Sequence, residues 1–414
     1  MSFTGSANRK ISLGFIGLGN RCMEQVKTLF PMEDVEIVHI CDLLPQRVER
    51  MQKMIQEEKG FSPKGTSCYQ QLLQDEQVEA VLIMTSWQSH IRLAVDAMKQ
   101  GKIVGLEVGG AASIEECWKL VRTSEETGIP CMLLENCCYG KEEMTLLHMV
   151  KQHVFGELIH CQGGYQHDLR EEIGLGDLTH HYRQENFLHR NGELYPTHEL
   201  GPIAKYLCLN RGNRMVSLVS MASKALGQKQ WLEQNRPNDP IAKQAFQQGD
   251  IVTTMIQCAK GETILLIHDC TLPRAYSRGG RVQGTKGLWM EDNRSIFIEG
   301  VSPEDPDYWT HRWESDGKYM EQYCHPLWKS YEDFGPRGGH GGMDFLVLRA
   351  FIESIQTQQP FPIDVYDTAA WMCITALSEQ SIAMGSMPVP IPDFTDGLWI
   401  EKRPFHQGAY GLDG

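Results

Sequence analysis

Gly17-Leu18-Gly19-Asn20-Arg21-Cys22 closes a short apolar run and opens a helical one. Gly17 permits a tight turn there. Gly19 lets the backbone approach a pyrophosphate at the helix N-terminus, and Cys22 is small enough for close helix–strand packing. The next apolar run ends at Asp42, whose carboxylate can accept hydrogen bonds from the adenosine ribose hydroxyls and would repel a 2′-phosphate. The pattern therefore favours NAD over NADP. Two further runs end in Thr85-Ser86-Trp87-Gln88-Ser89-His90 and Glu107-Val108-Gly109-Gly110. Ligands of open parallel sheets bind at the carboxyl ends of the strands, so both segments face the same crevice. His90 taken alone reads as a helix-start residue. Elsewhere, Glu135, Asp168 and Glu193 could be drafted as the carboxylate pair of an ordinary glycosidase, but their spacing does not demand it. His180-His181 and His198-Glu199 match no zinc spacing, so no metal is expected.

These residues need a scaffold. Short β-branched runs at 11–17, 35–42, 78–85, 102–108 and 130–135 alternate with helical patterns at 45–58, 89–100 and 113–127, where Ser113 and Glu116 form a capping box. Alternating strands and helices predict a doubly wound parallel sheet. After about residue 137 the order changes. Strand patterns at 156–167, 215–221, 251–259, 262–268 and 280–283 follow one another with little helix between them, which predicts an open, mainly antiparallel sheet. Residues 168–194 and 300–340 read as polar loops, the first suited to a substrate, and 345–355 and 368–382 as helices. The expected fold class is α/β: an N-terminal Rossmann domain over 10–137 and a C-terminal α+β domain over 138–414, with its last helix and tail packing back on the first.

The chain has 414 residues, 41% hydrophobic and 22% charged, with a formal net charge of -14. That suits two soluble globular domains. The acidity and the lack of a Lys/Arg run exclude an ordinary nucleic-acid partner. No run approaches a membrane span, and residues 1–10 lack the apolar core of a signal peptide, so the expected setting is cytoplasmic, or exported if a leader has been removed. Thirteen cysteines without paired spacing read as free thiols.

With the glycine turn, Asp42 and the two sheets in hand, the chain resembles the glucose–fructose oxidoreductase and inositol dehydrogenase family (Gfo/Idh/MocA). Its dehydrogenases carry Glu-Lys-Pro with a catalytic lysine where this chain has Glu107-Val108-Gly109. The closer resemblance is to glycoside hydrolase family 109, the NAD-dependent α-N-acetylgalactosaminidase branch. It rests on Leu134-Glu-Asn-Cys-Cys-Tyr-Gly140, Gly163-Gly-Tyr-Gln-His-Asp-Leu-Arg170, Arg190-Asn-Gly-Glu-Leu-Tyr-Pro-Thr-His198, Pro273-Arg-Ala-Tyr-Ser-Arg278 and Gly341-Gly-Met-Asp344, among other stretches. This chain differs from that branch at Gln88, Ser89 and Glu199. Beside Gly17 and Gly19 of the glycine turn, the resemblance implies, position by position, NAD against Asn20, Arg21, Asp42, Trp87, Gln88, Ser89, His90, Glu107, Val108 and Asn136. It implies the sugar against Tyr165, Arg183, Tyr195, Pro196, Thr197, His198 and Tyr276.

The resemblance also implies a redox route: hydride leaves C3 for the nicotinamide, the C3 ketone acidifies the C2 proton, the C1 group departs by elimination, water adds at C1, and the hydride returns. His198 is the expected C3 base and Tyr165 the expected C2 base, its pKa lowered by a neighbour such as Arg183, with the exchanged assignment as the alternative. Tyr195 and His167 would hold or relay protons, and Glu135 would orient a base. The substrate class is a small glycoside or glycan terminus, and a homodimer is possible. The alternatives are an NAD-dependent sugar dehydrogenase of the same fold and a non-catalytic protein that binds NAD and sugar.

Overall fold

Six strands build the first sheet: β1 (Ile11–Ile16), β2 (Val35–Cys41), β3 (Lys64–Thr66), β4 (Ala80–Ile83), β5 (Ile103–Leu106) and β6 (Cys131–Leu133). This is a computed structural model, and it describes residues 9–303, 312–335, 338–401 and 403–413. The strand order is β3-β2-β1-β4-β5-β6 and every pairing is parallel. The order reverses next to β1, which opens the crevice that the glycine turn lines. Leu13, Phe15, Val81, Leu82 and Val104 are fully buried, as strands covered on both faces require. Ser113 caps the helix Ile114–Thr127 by accepting from the Glu116 N–H, and the Glu116 carboxylate returns to the Ala112 N–H.

The second sheet has nine strands: β7 (Leu158–Gln166), β8 (Met215–Ala222), β9 (Ile251–Cys258), β10 (Thr263–Asp269), β11 (Arg281–Gly284), β12 (Gly287–Met290), β13 (Ser295–Ile298), β14 (Glu314–Ser315) and β15 (Val389–Pro390). Their order is β14-β13-β12-β11-β7-β10-β9-β8-β15. Only β7 and β10 run parallel; the other pairings are antiparallel. Alternation sets the two faces: Val252, Thr254, Ile256 and Cys258 point inward, and Met255 points outward. The inner face of β7 receives the helix Thr197–Tyr206. Gly163 makes that approach possible, because a Cβ there would lie 1.6 Å from Glu199 Cγ.

The polar stretch 168–194 is not a plain loop. It holds the short helices Arg170–Gly174, Gly176–Thr179 and Arg183–His189. Nor is the second expected loop a plain one: it holds the helices Gly317–Gln322 and Pro326–Phe334, while 304–311 and 336–337 lie outside the described residues. Two long helices, Met343–Thr357 and Val365–Ala383, return to the first sheet. One packs on the helix Asn20–Leu29, and the other lies between the helix Ile114–Thr127 and β8. This return brings residues from both ends of the chain to one crevice.

Candidate active site

The glycine turn has the shape its sequence implies. Gly17 sits at φ 92°, and a Cβ there would meet the Met84 carbonyl at 2.8 Å. Above Gly19 the space is open. The helix Asn20–Leu29 begins without a side-chain cap and without an acid in its first turn, so its first N–H groups are available to an anion. Asp42 is buried and accepts from the Leu18 N–H at 2.7 Å and the Leu44 N–H at 2.9 Å. Two buried polar atoms nearby, Trp87 Nε1 and Asn136 Oδ1, have no protein partner, as expected of groups that serve a ligand. These residues fit a dinucleotide.

The remaining cofactor candidates divide. Arg21 and Glu107 meet at 3.1 Å, and Glu107 also accepts from the Val108 N–H at 3.1 Å. Asn20 and Gln88 are exposed. Ser89 bonds Thr85 and the Ser86 carbonyl. His90 is buried and bonded to the Thr85 carbonyl at 2.9 Å, and burial pulls its pKa down to about 4. It thus stays neutral at the start of its helix.

The sugar candidates lie at the other side of the crevice and converge. His198, in the first turn of the helix Thr197–Tyr206, bonds Glu135 through Nδ1 at 2.8 Å. Glu135 is fully buried, and the His198 charge and hydrogen bond hold its carboxyl below the usual range against strong desolvation. When the ring is neutral and Nδ1 donates to this carboxylate, the lone pair is on Nε2, the arrangement that makes a histidine a positioned base. The Tyr165 ring lies edge-on to His198 at 5.4 Å and tilted against Tyr195 at 4.5 Å. The Tyr165 hydroxyl meets His167 Nδ1 at 3.2 Å. Burial lowers the His167 pKa. Tyr276, half exposed, stands edge-on to His167 at 5.1 Å. Pro196 and Thr197 are buried at the start of the His198 helix.

Arg183 binds the two groups together. Its guanidinium lies 5.3–5.9 Å from the rings of Trp87, Tyr165, Tyr182 and Tyr195, and it pairs with Glu172 at 2.6 Å. Trp87 also touches the Tyr195 ring at 5.6 Å, so a cofactor candidate and a sugar candidate share one aromatic cluster. The Tyr165 pKa moves opposite to the expected direction. Arg183 does favour the Tyr165 phenolate, but burial of the hydroxyl outweighs it and pushes the Tyr165 pKa up. The resting residue is a neutral phenol.

Glu135, Cys137 and His198 bring possible metal ligands within 4.8 Å of one another. Burial drives the Cys137 thiol far above its ordinary pKa. The Glu135–His198 contact is explained by their own hydrogen bond. Of the three candidate glycosidase carboxylates, Glu135 and Glu193 are fully buried, and Asp168 is held by Arg170 through two bonds of 2.7–2.8 Å. A cavity of about 790 Å³ opens beside Tyr276, lined also by Arg278, Glu143, Glu291 and His340. Glu199 runs beneath Gly163 and lies 3.5 Å from Arg278 Nε.

Sequence reasoning missed Tyr182 and Glu172, the ring and the carboxylate that flank Arg183. Their only signal was a place in the polar stretch 168–194. It also missed the role of Asp344, whose carboxylate receives Arg21 and Asn136.

Residues 139–401 match the family model of the glycosyl hydrolase 109 C-terminal domain, and residues 11–134 that of an oxidoreductase family with an NAD-binding Rossmann fold. A glycosyl hydrolase family 109 protein of Stenotrophomonas maltophilia is 42% identical, over 98% of this chain and 93% of its own length. An alpha-N-acetylgalactosaminidase of Tannerella forsythia is 40% identical over 97% and 89%, and one of Shewanella oneidensis is 37% identical over 95% and 87%. Among solved structures, a levoglucosan dehydrogenase in complex with NADH and levoglucosan superposes with a TM-score of 0.69 at 18% identity, covering 93% of this chain and all of that one. The WlbA dehydrogenase of Bordetella pertussis, in complex with NADH and UDP-GlcNAcA, gives 0.66 at 13% identity, over 94% and 99%. At these identities the two structures support the fold.

Proposed function

The chain belongs to glycosyl hydrolase family 109, and from that premise we propose that it releases terminal N-acetylgalactosamine from α-glycosides through a transient ketone at C3. It is an NAD-dependent glycoside hydrolase; the choice of sugar is supported by the two relatives called alpha-N-acetylgalactosaminidases. The observation that carries the mechanism is the meeting of two proton-accepting pairs, His198 with Glu135 and Tyr165 with His167, at a crevice built for a dinucleotide.

When bound, the nicotinamide supplies an acceptor for the C3 hydride and gives it back at the end of the turn. His198 Nε2 takes the C3 hydroxyl proton, and Glu135 stabilises the imidazolium that results. The ketone acidifies the C2 proton. The Tyr165 oxygen removes it, with its own proton passing to His167 Nδ1 and the Arg183 charge stabilising the phenolate. The C1 group then leaves, water adds at C1, and the protons return along the same pairs. The burial of Glu135 and Glu193 and the pinning of Asp168 by Arg170 speak against a carboxylate mechanism.

We assign NAD binding to residues 10–137 and sugar binding to residues 138–414. Thirteen unpaired cysteines support a reducing, cytoplasmic setting; a leader ahead of this sequence would place the protein outside it. No helix among the described residues is long and apolar enough to cross a membrane. The outer face of the second sheet, where Met221 and Met255 are exposed on adjacent strands, is the surface we assign to a homodimer.

The test is an aryl α-N-acetylgalactosaminide offered to enzyme stripped of its dinucleotide. Activity is expected to vanish, and to return with NAD equimolar to enzyme without NADH accumulating. Full activity of the stripped protein, or one NADH formed per sugar, would contradict the proposal.

A further inference from the structure

Asp344 is the most heavily used carboxylate at the crevice. It is fully buried at the start of the helix Met343–Thr357. Its Oδ2 accepts from Arg21 Nη1 at 2.7 Å and its Oδ1 from Arg21 Nη2 at 2.8 Å. Oδ1 also accepts from Asn136 Nδ2 at 2.8 Å, and Oδ2 lies 2.7 Å from His340 Nδ1. The two-pronged Arg21 contact fixes the guanidinium in orientation as well as in place.

These partners come from three parts of the chain. Arg21 directly follows the glycine turn, Asn136 follows β6, and Asp344 belongs to the returning helix. Arg21 and Asn136 are both cofactor candidates, and a single carboxylate holds both. The Asn136 bond also decides which way its amide points. With Nδ2 committed to Asp344, Oδ1 is left as a buried acceptor without a protein partner, ready for a donor such as a carboxamide N–H or a ribose hydroxyl. Arg21 meanwhile reaches Glu107 through Nε at 3.1 Å. Two carboxylates thus neutralise its charge. Arg21 serves here as a tie across the crevice, and the uncapped N–H groups of the helix Asn20–Leu29 are left to meet the phosphates.

We propose that Asp344 is a positioning residue for the dinucleotide: by tying Arg21 across the crevice and orienting Asn136, it keeps the cofactor bound from one turnover to the next. The inference rests on the proposed function, because an enzyme that takes back its own hydride gains from never releasing the cofactor, whereas a dehydrogenase must exchange it each turn.

The experiment measures NADH dissociation by fluorescence, chasing with excess NAD, for the wild type, Asp344→Asn, Arg21→Lys and the double variant. Arg21→Lys breaks the two-pronged contact from its more exposed side and so serves if Asp344→Asn fails to fold. Each single variant is expected to release NADH about tenfold faster, the size expected for loss of one charged hydrogen bond. The double variant should be no worse than the worse single, since both act on one tie. In glycoside turnover the loss should fall on the NAD concentration needed for half-maximal rate more than on the saturated rate. Unchanged dissociation in the single variants, additive effects in the double, or a collapse of the saturated rate with dissociation intact would overturn the proposal. The dissociation readout needs no glycoside, so it stands even if the C3-ketone route is wrong.

Discussion

Glu193 lies fully buried behind Tyr195, and replacing it by glutamine should change how stability depends on pH. Its Oε1 accepts from the Tyr195 N–H at 3.3 Å, and its Oε2 has no partner. Burial pushes its pKa from 4.5 to about 8. A carboxyl with a raised folded pKa gives stability that is complete below its unfolded value and is lost as pH rises through the folded one. The window therefore runs from pH 4.5 to about 8. At about 1.4 kcal/mol per pH unit, the cost at pH 7 is about 3 kcal/mol, and it levels off near 5 kcal/mol above pH 8, both upper limits. In Glu193→Gln the amide oxygen can still accept from Tyr195 and cannot ionise. Urea midpoints measured at pH 5 and pH 8 should show the wild type falling steeply and the variant changing little, with the variant the more stable of the two at pH 8. Parallel curves for the two proteins across that window would mean that Glu193 does not titrate there.

Two further variants separate the proton-accepting pairs. Glu135→Gln keeps a hydrogen-bond acceptor for His198 but loses the charge that stabilises its imidazolium. Its kcat should fall by about 10²- to 10⁴-fold, the range of a lost general base, while NADH binding measured by fluorescence stays within about threefold. Tyr165→Phe removes the proposed C2 base and leaves His198 in place. Absorbance at 340 nm should then show nicotinamide reduced by substrate without sugar release; free sugar at the wild-type rate would argue against the Tyr165 assignment.

The parts of the site that were legible in the sequence are those whose meaning is local. A glycine turn opening a helix and an acid closing the next strand keep their geometry in any such fold, and the structure has Gly17 and Gly19 at that turn and Asp42 at that strand end. The Ser113 capping box is equally local. The short strands β3, β12, β13, β14 and β15 were missed because each has only two to four residues, too few to show alternation. The three helices within 170–189 were missed because each has only four to seven residues, two turns at most. Asp344 could be quoted within a motif but not understood, because its partners Arg21 and Asn136 reach it only through the return of the last helices to the first sheet. Tyr165 shows a different limit. An arginine neighbour suggested a lowered pKa, but the sequence does not reveal how deeply a hydroxyl is buried, and here desolvation outweighs the charge.

In the proposed route Tyr165 and His198 act on a sugar made acidic at C2 by a passing ketone. The decisive measurement is turnover of an α-N-acetylgalactosaminide in heavy water, with the released sugar examined by NMR. Deuterium at C2 and retained hydrogen at C3 are the expected result, because the C2 proton exchanges with solvent and the C3 hydride does not. A product that keeps its original hydrogen at C2 would contradict the claim.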